Sequence, residues 1–380
     1  MRVALVVPGG VDRSGEERVI PAFVWLIERL ARRHDVHVFA MRQEPGYGTW
    51  ELRGAHVENI GTTPFRRSRF LARFAQAHRN APFDVVHALF GGVGAMAALA
   101  ARRHRVPCLL HLAGGEPVAL ERIGYGSRLS PRGRLGLRIA IAGAQRVTVA
   151  TRFMQALLEQ VGTRSAIVPL GVALDRWPPR RPQQRDLAAT TRLLHIGDLR
   201  PVKGQDTLLG AVALLVRDGL DVRLDIAGLD TMNGVLQGSD AARQLGERVA
   251  FHGLLPRDQL RALTDQGHIL VHASLHEAGP LCVLEAAIAG VPTVGTNVGQ
   301  VSDWAPDAAV ATPVGDAAAL ARAIALLMAD ENRRLHIAAE AQSRAMRADA
   351  DFTAAAFEKI YAEVIAALPL RRFVSRPASS

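Results

Sequence analysis

The sequence of 380 residues has few cysteines, few lysines and few aromatic residues. Its two cysteines, Cys108 and Cys282, lie far apart in apolar surroundings, which does not fit a disulfide framework and favours packing roles in a reducing compartment. No apolar run approaches the roughly 18 residues that a membrane-spanning helix needs. The short apolar run at residues 1–7 meets Pro8-Gly9-Gly10, so we interpret it as a first strand and not as a signal peptide.

Signatures of several enzyme classes are also missing. The chain has no Gly-x-Ser-x-Gly elbow and no phosphate loop that ends in Gly-Lys-Ser/Thr. No His, Cys or carboxylate cluster has convincing metal-ligand spacing, so we expect no metal site. Asp349-Ala350-Asp351 has the form of a D-x-D metal motif, but it precedes a predicted helix and we interpret it as a helix cap.

Acidic residues are scarce in the first half of the chain. Residues 1–180 hold 26 Arg and 13 Asp or Glu, a balance of +13, whereas residues 181–380 hold 20 Lys or Arg and 23 Asp or Glu, a balance of −3. This asymmetry predicts that the first half meets an anionic partner. A membrane surface, a nucleic acid and a phosphorylated acceptor all fit the charge, and so does a solvated basic face.

Short apolar runs alternate with segments of helical period along most of the chain. The runs predict strands, and apolar residues three or four apart predict the helices between them, beginning with Val19, Ile20, Phe23, Ile27 and Leu30. This alternation is typical of parallel sheets covered on both faces, so the predicted fold class is α/β. The predicted strands are Arg2–Val7, Val36–Ala40, Val85–Ala88, Pro107–Leu112, Arg146–Ala150, Arg192–Ile196, Arg223–Ala227, Arg248–His252, Ile269–His272 and Thr293–Gly295, and the last predicted helices are 316–329, 331–347 and 352–367.

The pattern breaks near residues 170–190. Trp177-Pro178-Pro179-Arg180-Arg181-Pro182 fits neither a helix nor a strand, and the chain is long enough for two cores. We therefore predict an N-terminal domain at residues 1–172, a linker at 173–190 and a second domain at 191–350. Residues 351–380 are predicted to form a C-terminal helix and tail, for which packing back on the N-terminal domain is one arrangement.

A glycine-bounded loop, Gly197-Asp198-Leu199-Arg200-Pro201-Val202-Lys203-Gly204, lies between a predicted strand and a predicted helix. Free backbone N–H groups and the helix dipole favour an anion at such a junction, and Arg200 and Lys203 add two positive charges. Lys203 is one of only two lysines, against 44 arginines. The combination suits a diphosphate, above all one that departs with extra negative charge. A solvated turn would carry the same residues.

Two glutamates flank the start of a predicted helix in Glu277-Ala278-Gly279-Pro280-Leu281-Cys282-Val283-Leu284-Glu285. Pro280 fits the first turn of a helix, and Gly279 permits close backbone approach before it. Glu277 would then stand in the loop and Glu285 within the helix. The two acids could hold hydroxyl groups while backbone N–H groups hold a phosphate. A helix with a favourable acid near its start and an exposed acid beyond it would show the same pattern.

A single histidine stands near the end of an apolar strand, in His111-Leu112-Ala113-Gly114-Gly115-Glu116. The carboxyl ends of strands in open α/β sheets face the crevice where ligands bind. His111 is therefore a candidate for contact with a ligand in that crevice, although a satisfied strand-end histidine is the commoner role of a lone His.

These segments together resemble the retaining GT-B glycosyltransferases of family 4. The loop from Gly197 to Gly204 resembles the lysine-glycine phosphate loop of that family, and Glu277 with Glu285 resembles its E-x7-E motif. Gly15 lies in Ser14-Gly15-Glu16-Glu17-Arg18, which looks like the family's N-terminal glycine loop, and the likeness extends over residues 2–365 or so.

The sequence departs from the family pattern at two places. The family often has Arg where this chain has Asp198, and Arg200 is the nearest replacement. The family usually has Gly-Phe-Gly after the first acid, where this chain has Ala278-Gly279-Pro280.

The resemblance implies a GT-B fold, in which two Rossmann-like domains with parallel sheets face each other across a cleft. It implies transfer of a sugar from a nucleotide-diphosphate sugar, with a UDP- or GDP-sugar expected, to an acceptor hydroxyl with retention, without a divalent metal or a covalent nucleophile on the enzyme. The catalytic residues that it implies are His111, Arg200, Lys203 and Glu277. The donor-binding residues that it implies are Gly15, Gly279, Pro280, Leu281 and Glu285.

The expected setting is cell-envelope or exopolysaccharide glycan synthesis in the cytoplasm. We expect a glycan or lipid-linked acceptor and no nucleic acid. The basic amphipathic stretch Phe65–Phe74 and five arginines between Arg122 and Arg138 would permit a peripheral contact with the anionic inner face of a membrane. A helix packed on the sheet, with its basic side in solvent, fits these arginines as well.

Two other functions remain open at this point. Gly92-Val93-Gly94-Ala95-Met96-Ala97 satisfies a loose G-x-G-x-x-A dinucleotide pattern, with Glu116 about 20 residues beyond as a ribose-binding acid. That pattern would fit an NAD-dependent oxidoreductase. A non-catalytic sugar-nucleotide sensor with the same fold would need fewer of the four catalytic positions.

Overall fold

The computed structural model describes residues 1–367 and contains two separate sheets. The strands of the N-terminal sheet are β1 Arg2–Val7, β2 Asp35–Ala40, β3 Gly48–Leu52, β4 Ala55–Asn59, β5 Val85–Leu89, β6 Cys108–Leu112, β7 Arg146–Val149 and β8 Ala166–Ile167. The strands of the C-terminal sheet are β9 Thr191–Ile196, β10 Val222–Ala227, β11 Val249–Gly253, β12 Ile269–His272, β13 Thr293–Thr296 and β14 Val310–Thr312.

Thirteen α-helices are present among the described residues. They are α1 Pro21–Ala31, α2 Arg66–Asn80, α3 Gly91–His104, α4 Pro131–Ala142, α5 Arg152–Glu159, α6 Gln205–Arg217, α7 Asp240–Leu245, α8 Arg257–Asp265, α9 Leu281–Ile288, α10 Gly299–Trp304, α11 Ala317–Ala329, α12 Glu331–Arg347 and α13 Ala350–Ala366. No helix among residues 1–367 combines the length and the apolar character needed to cross a membrane.

The strand order makes each half a Rossmann-like unit. The N-terminal sheet runs β3-β4-β2-β1-β5-β6-β7-β8 and the C-terminal sheet runs β11-β10-β9-β12-β13-β14. Every ladder is parallel except β3 with β4, which form an antiparallel hairpin at one edge. Each sheet reverses its strand order once, beside β1 and beside β9. Ligands of open α/β sheets bind outside the carboxyl ends of the strands at such a point.

Helices cover both faces of each sheet, because the parallel strands carry apolar side chains on both faces and each face must be buried against a helix layer. In the N-terminal domain, Phe70 and Phe74 of α2 and Leu137 of α4 belong to one core layer, while Phe23 of α1 and Phe357 of α13 belong to the other. The predicted strands are confirmed to within one or two residues at their ends, and the predicted α/β class is confirmed. The β3–β4 hairpin, β8 and β14 were not predicted.

The first helix begins later than its apolar period indicates. Val19 and Ile20 precede α1, which starts at Pro21, a residue whose fixed φ and missing N–H suit the first helical position. Asp349 caps α13, since its Oδ1 accepts a hydrogen bond from the Phe352 N–H at 2.8 Å. The interpretation of the D-x-D motif as a helix cap is therefore confirmed.

Residues 173–190 contain no helix or strand, yet they are firmly packed. Trp177 is 1% exposed and donates its indole N–H to the Glu285 carbonyl at 2.8 Å. Arg185 is buried and pairs with Glu331 at 2.8 Å. The connection is therefore fixed to the C-terminal domain along much of its length.

The chain returns to the N-terminal domain through α13. The Ala350 N–H donates to the Val172 carbonyl at 3.0 Å. The segment that leaves the N-terminal domain near residue 172 and the segment that returns to it near residue 350 therefore lie side by side. Gly171 is needed there because a Cβ would overlap the backbone of residues 348 and 349. The helix then packs beside α1, and the Tyr361 hydroxyl lies 2.7 Å from Nδ1 of His87. Residues 368–380 of the predicted tail lie outside the described residues.

Gly92–Ala97 does not form a dinucleotide-binding loop. These residues lie inside α3, and a Cβ on Gly94 would come within 3 Å of Leu110 and Ala140. Glu116 is also engaged, because its two carboxylate oxygens accept hydrogen bonds from the N–H groups of Gly91 and Gly114. The small residues therefore serve close packing of helix on sheet, and the alternative of a nicotinamide site there is not favoured.

Candidate active site

The predicted phosphate loop lies at the switch point of the C-terminal sheet. It leaves β9, forms a short 3₁₀ turn at Pro201–Lys203 and enters α6 after Gly204. Gly204 has φ of +65°, and a Cβ there would overlap the carbonyl oxygen of Ala273, so only glycine fits. The Leu275 N–H donates to the Val202 carbonyl at 2.8 Å, which ties this loop to the one that follows β12.

Lys203 and Glu277 meet at this point. The Lys203 ammonium lies 2.7 Å from Oε1 of Glu277, and the Ser274 hydroxyl donates to the same oxygen at 2.8 Å. The stem of Lys203 runs beside Gly197, whose absent side chain leaves room for it. Since β9 and β12 are neighbours in the sheet, residues 74 apart in sequence form one partly buried ion pair.

The pair stays charged despite its burial. Burial raises the pKa of Glu277, but the Lys203 charge and the hydrogen bonds outweigh burial and bring the pKa to about 2. Burial lowers the pKa of Lys203, and Glu277 more than reverses that effect. His272, whose Nε2 lies 3.6 Å from Glu277, has its pKa lowered by burial to about 3 and is therefore neutral. The site thus holds one fixed cation and one fixed anion at neutral pH.

Glu285 lies apart from this pair, in the second turn of α9. Its Oε1 accepts a hydrogen bond from Arg257 at 2.9 Å, and burial raises its pKa although Arg257 opposes the change. The Arg257 guanidinium stacks over the rings of Trp25 and Trp177, at 4.6 and 4.8 Å from the ring centroids. Trp25 belongs to α1, so the N-terminal domain contributes to the surroundings of Glu285.

The segment between the two glutamates is pressed against the N-terminal domain. Gly279 precedes Pro280, which is the N-cap residue of α9, and Leu281 is the first helical residue. A Cβ on Gly279 would lie 2.7 Å from the Ala150 side chain, so glycine permits this approach. The Thr151 hydroxyl donates to the Ala278 carbonyl at 2.7 Å.

A second contact joins α5 to α10. The carboxylate of Asp303 accepts hydrogen bonds from the N–H groups of Arg152 and Phe153, at 2.6 and 2.9 Å. These N–H groups belong to the first turn of α5, so a residue of the C-terminal domain caps a helix of the N-terminal domain. The segment 278–281 therefore lies where the two domains are in contact.

Tyr125 projects from the N-terminal domain towards the ion pair. It lies in the loop after β6, where backbone hydrogen bonds with Leu120 fix a turn and Gly115 leaves room for the ring. Its ring centroid is 6.0 Å from that of His276, the neighbour of Glu277. Burial raises the pKa of Tyr125, and the charges of Glu277 and Glu116 raise it further. The phenol is therefore protonated and can donate a hydrogen bond.

A cavity of about 400 Å³ lies beside this loop, between the two domains. The loop after β6 forms one wall, and one residue after each of β12 and β14 forms the other. The lining residues are Ala119, Leu120, Glu121, Arg122, Ile123, Leu275 and Val314.

The structure gathers only part of the predicted site. Lys203, Glu277, Gly279, Pro280 and Leu281 lie together, and Arg200 stands exposed at the mouth of the same loop. Gly15 lies in a turn near Leu52 and Arg53, with its N–H donating to the Asp12 carbonyl at 2.9 Å.

His111 is placed inside the N-terminal core. It is the fourth residue of β6, it is wholly buried, and its Nδ1 lies 2.9 Å from the Thr148 hydroxyl while its ring faces Phe357 of α13. Burial lowers its pKa to about 3. Strand alternation explains the difference, because a residue still within the sheet points to a helix layer and not into the crevice.

Tyr125, Thr151, Arg257 and Asp303 were not predicted as site residues. The glycines on either side of Tyr125 indicate a turn, and Pro256 before Arg257 indicates a helix start. Neither signal tells which residue across the domain boundary each side chain meets.

Comparison with solved structures defines the class of this protein. A sucrose-phosphate synthase from Thermosynechococcus elongatus aligns over 97% of this chain and 100% of its own, with TM-score 0.79 and 18% identity. Anabaena HepE in complex with UDP-glucose aligns over 97% of this chain and 100% of its own, with TM-score 0.73 and 19% identity. The chain therefore has the GT-B fold, as predicted.

Sequence comparison places the chain within that class. The model for glycosyl transferases group 1 matches residues 181–344, and the model for a glycosyl transferase 4-like domain matches residues 19–173. The D-inositol 3-phosphate glycosyltransferase of Geodermatophilus obscurus is 29% identical over 330 residues, covering 77% of this chain and 72% of the relative. That of Xylanimonas cellulosilytica is 29% identical over 322 residues, covering 78% and 76%. The chain belongs to the group 1, family 4 glycosyltransferases and is an enzyme that uses a nucleotide sugar.

Proposed function

We propose that the enzyme transfers a sugar with retention from a UDP- or GDP-sugar to an acceptor hydroxyl. The observation that carries this proposal is the Lys203–Glu277 pair at the switch point of the C-terminal sheet. A fixed cation beside a strand–helix junction suits a departing diphosphate, because its charge is in place before the bond breaks. A fixed carboxylate beside it suits the hydroxyls of the transferred sugar.

The other residues take roles around this pair. Arg200, at the mouth of the loop, adds positive charge on the diphosphate. The N–H groups at the start of α9, near Gly279, Pro280 and Leu281, face the donor, and Glu285 holds the ribose. Gly15 lies in the loop that approaches the donor when the domains close.

For the acceptor side, Tyr125 replaces His111 in our assignment. His111 is buried in β6, whereas the Tyr125 ring lies 6.0 Å from the ring of His276, the neighbour of Glu277 in sequence, and the charge of Glu277 raises the pKa of the phenol. The phenol donates to the acceptor or to the transferred sugar, and the leaving phosphate helps to accept the acceptor proton.

The role of Glu285 gives the sharpest test of donor binding. We expect Glu285→Ala to weaken the binding of bare UDP or GDP more than Glu277→Ala does, because the ribose remains when the sugar is gone. Isothermal calorimetry measures both affinities. Glu247→Ala is the matched control, because Glu247 is an exposed acid in the short turn that precedes the edge strand β11.

Equal losses of nucleotide affinity in the two variants would remove the assignment of Glu285 to the ribose. No binding of either nucleotide by the wild-type enzyme, and no release of UDP from UDP-glucose, would remove the proposed donor.

We further propose that transfer needs no divalent metal. Lys203 and Arg200 supply positive charge where a metal would otherwise act on the diphosphate. Release of UDP from UDP-glucose should persist in excess EDTA. Loss of that activity on chelation, with recovery on adding magnesium or manganese, would contradict the proposal.

The proposed acceptor is a glycan or lipid-linked molecule in envelope or exopolysaccharide synthesis, reached by a cytoplasmic enzyme at the inner membrane face. Two exposed segments support it. Phe65, 76% exposed, precedes Arg66 and Arg67 at the start of α2, and α4 exposes Leu135 and Ile139 beside arginines. Both helices begin at the carboxyl edge of the N-terminal sheet, so both segments lie on the rim where an acceptor enters.

A further inference from the structure

Three potential metal ligands share one face of the N-terminal sheet, away from the Lys203–Glu277 pair. The register of the parallel strands β2 and β4 pairs His37 with His56, and Glu58 follows two residues after His56. Paired residues and residues two apart point to the same face of a sheet. One ligand atom from each of the three side chains lies within 4.8 Å of the other two.

The contacts of these side chains are those of ligands held in place. Nε2 of His37 lies 3.2 Å from Oε2 of Glu58, and the two imidazole rings are 4.8 Å apart. Nδ1 of His56 lies 3.1 Å from Oε1 of Glu51 on the neighbouring strand β3. A carboxylate on one ring nitrogen fixes the orientation of an imidazole and leaves the other nitrogen for an ion.

The cluster combines buried and accessible ligands. Glu58 and His37 are buried, whereas the His56 side chain is 43% exposed and offers a path of entry. Glu58 also accepts a hydrogen bond from the Arg73 guanidinium through its other oxygen, which fixes the orientation of the carboxylate.

We propose that His37, His56 and Glu58 form a binding site for one zinc ion. Two imidazoles and a carboxylate are a common zinc ligand set, with water free to take the fourth position. Bonds of about 2.0–2.2 Å in a tetrahedron place ligand atoms roughly 3.4 Å apart, so the ring and carboxylate need to move by about 1 Å.

Arg73 sets the strength of this site. Its guanidinium pairs with Oε1 of Glu58 and stacks over Tyr47, so it occupies one carboxylate oxygen and leaves Oε2 facing His37. A cation so close to the ion weakens binding by repulsion, but Arg73 also orients Glu58. The bound ion would join β2 to β4 and, through Glu51, to the edge strand β3.

The experiment is a zinc titration of the full chain, without a histidine tag and after treatment with EDTA. Calorimetry should show one equivalent bound to the wild type, and the thermal midpoint should rise with zinc because binding favours the folded state. Glu51→Gln, which alters only the partner of His56, should weaken binding by about 10- to 100-fold. His56→Gln should abolish stoichiometric binding, and its half-exposed position keeps the fold.

The matched control is His336→Gln, which removes an exposed histidine from α12 and should leave the affinity unchanged. The proposal is overturned if the wild type binds no zinc stoichiometrically. It is equally overturned if both His56→Gln and Glu51→Gln bind zinc as tightly as the wild type, since the ion would then sit elsewhere among the histidines.

Discussion

Lys203 and Glu277 determine each other's ionisation. Either charge alone would be costly in this buried position, and each becomes stable because the other lies 2.7 Å away. The pair therefore contributes to stability as well as to the proposed chemistry, and we expect a mutation of one partner to act on both. Stability and turnover must be measured together to separate the two effects.

We expect Lys203→Met to lower turnover and stability together. Release of the nucleoside diphosphate from the proposed UDP- or GDP-sugar should fall by roughly 10²–10³-fold, the usual loss when one preorganised charge on a transition state is removed. The free energy of unfolding should fall by up to about 3 kcal/mol, the lower end of the cost of breaking a buried pair, because the partly buried Glu277 is left without its partner. Urea denaturation and initial rates measure the two effects.

The double variant Lys203→Met/Glu277→Gln separates the effect on stability from the effect on turnover. It should recover part of the lost stability, since no unpaired charge remains, and none of the lost turnover. Lys359→Met, which removes the exposed second lysine, is the control and should change neither. Near-normal turnover in Lys203→Met would show that this loop is only a turn.

At the scale of helices, the two domains share a helix cap. The N–H groups in the first turn of α5 donate to the carboxylate of Asp303 on α10. The hydroxyl of Thr151, the N-cap residue of α5, donates to the Ala278 carbonyl. Because Asp303 of the C-terminal domain binds the first turn of α5, the cap fixes the position of α10 relative to the N-terminal end of α5. The segment 278–281, to which we assign donor binding, should therefore be displaced when Asp303 is changed, although Asp303 is not assigned to the donor site.

We expect Asp303→Ala to weaken UDP binding several-fold and to lower the free energy of unfolding by about 1 kcal/mol, the usual cost of a lost cap. Asp303 positions the segment 278–280 through α5 and is not itself in the donor site. Calorimetry and urea denaturation measure the two quantities, and Asp303→Asn should retain part of both.

The control for this variant is Asp316→Ala. Asp316 caps α11 within one domain, with Oδ1 accepting from the Ala319 N–H at 2.8 Å. Its loss should cost similar stability and leave UDP affinity unchanged. If the two variants change UDP affinity equally, the cap shared between domains has no effect on the donor site.

At the scale of the whole molecule, the excess positive charge and a set of exposed apolar side chains lie on the same domain. The N-terminal domain carries the excess of arginine, and its exposed apolar residues Phe65, Leu135 and Ile139 lie on elements that start at the rim of the cleft. Two arginines of α2 are not free for a partner, since Arg69 holds the Ile60 carbonyl and Arg73 pairs with Glu58.

We expect the enzyme to sediment with phosphatidylglycerol vesicles more than with phosphatidylcholine vesicles at low salt. Arg66, Arg67, Arg132 and Arg138 are exposed, and each basic side chain near an anionic bilayer contributes about 1 kcal/mol. Changing all four to Gln should remove most of the binding. Salt should weaken it, because the Debye length is about 8 Å at physiological ionic strength.

The matched control changes four exposed arginines of the C-terminal domain to Gln and should leave sedimentation unchanged; they are Arg217, Arg243, Arg322 and Arg333. Equal sedimentation of the wild type with both kinds of vesicle would identify the basic half as a solvated face. The acceptor would then be a soluble molecule and not a lipid-linked one.

The sequence by itself determined the α/β class, the position of most strands, and the two motifs around Lys203 and Glu277. These features depend on local periodicity and on residues close together in the chain, which a sequence displays directly. It also located the D-x-D motif at a helix start, because capping is a local interaction.

Only the tertiary structure decided what these segments meet. The direction of His111 depends on where β6 ends, and the placing of Tyr125 beside His276 depends on how one domain stands against the other. The pairing of Glu285 with Arg257 and of His37 with His56 depends on which elements become neighbours in the fold. Contacts between residues far apart in sequence follow from sheet order and domain packing, and a single sequence carries no direct record of either.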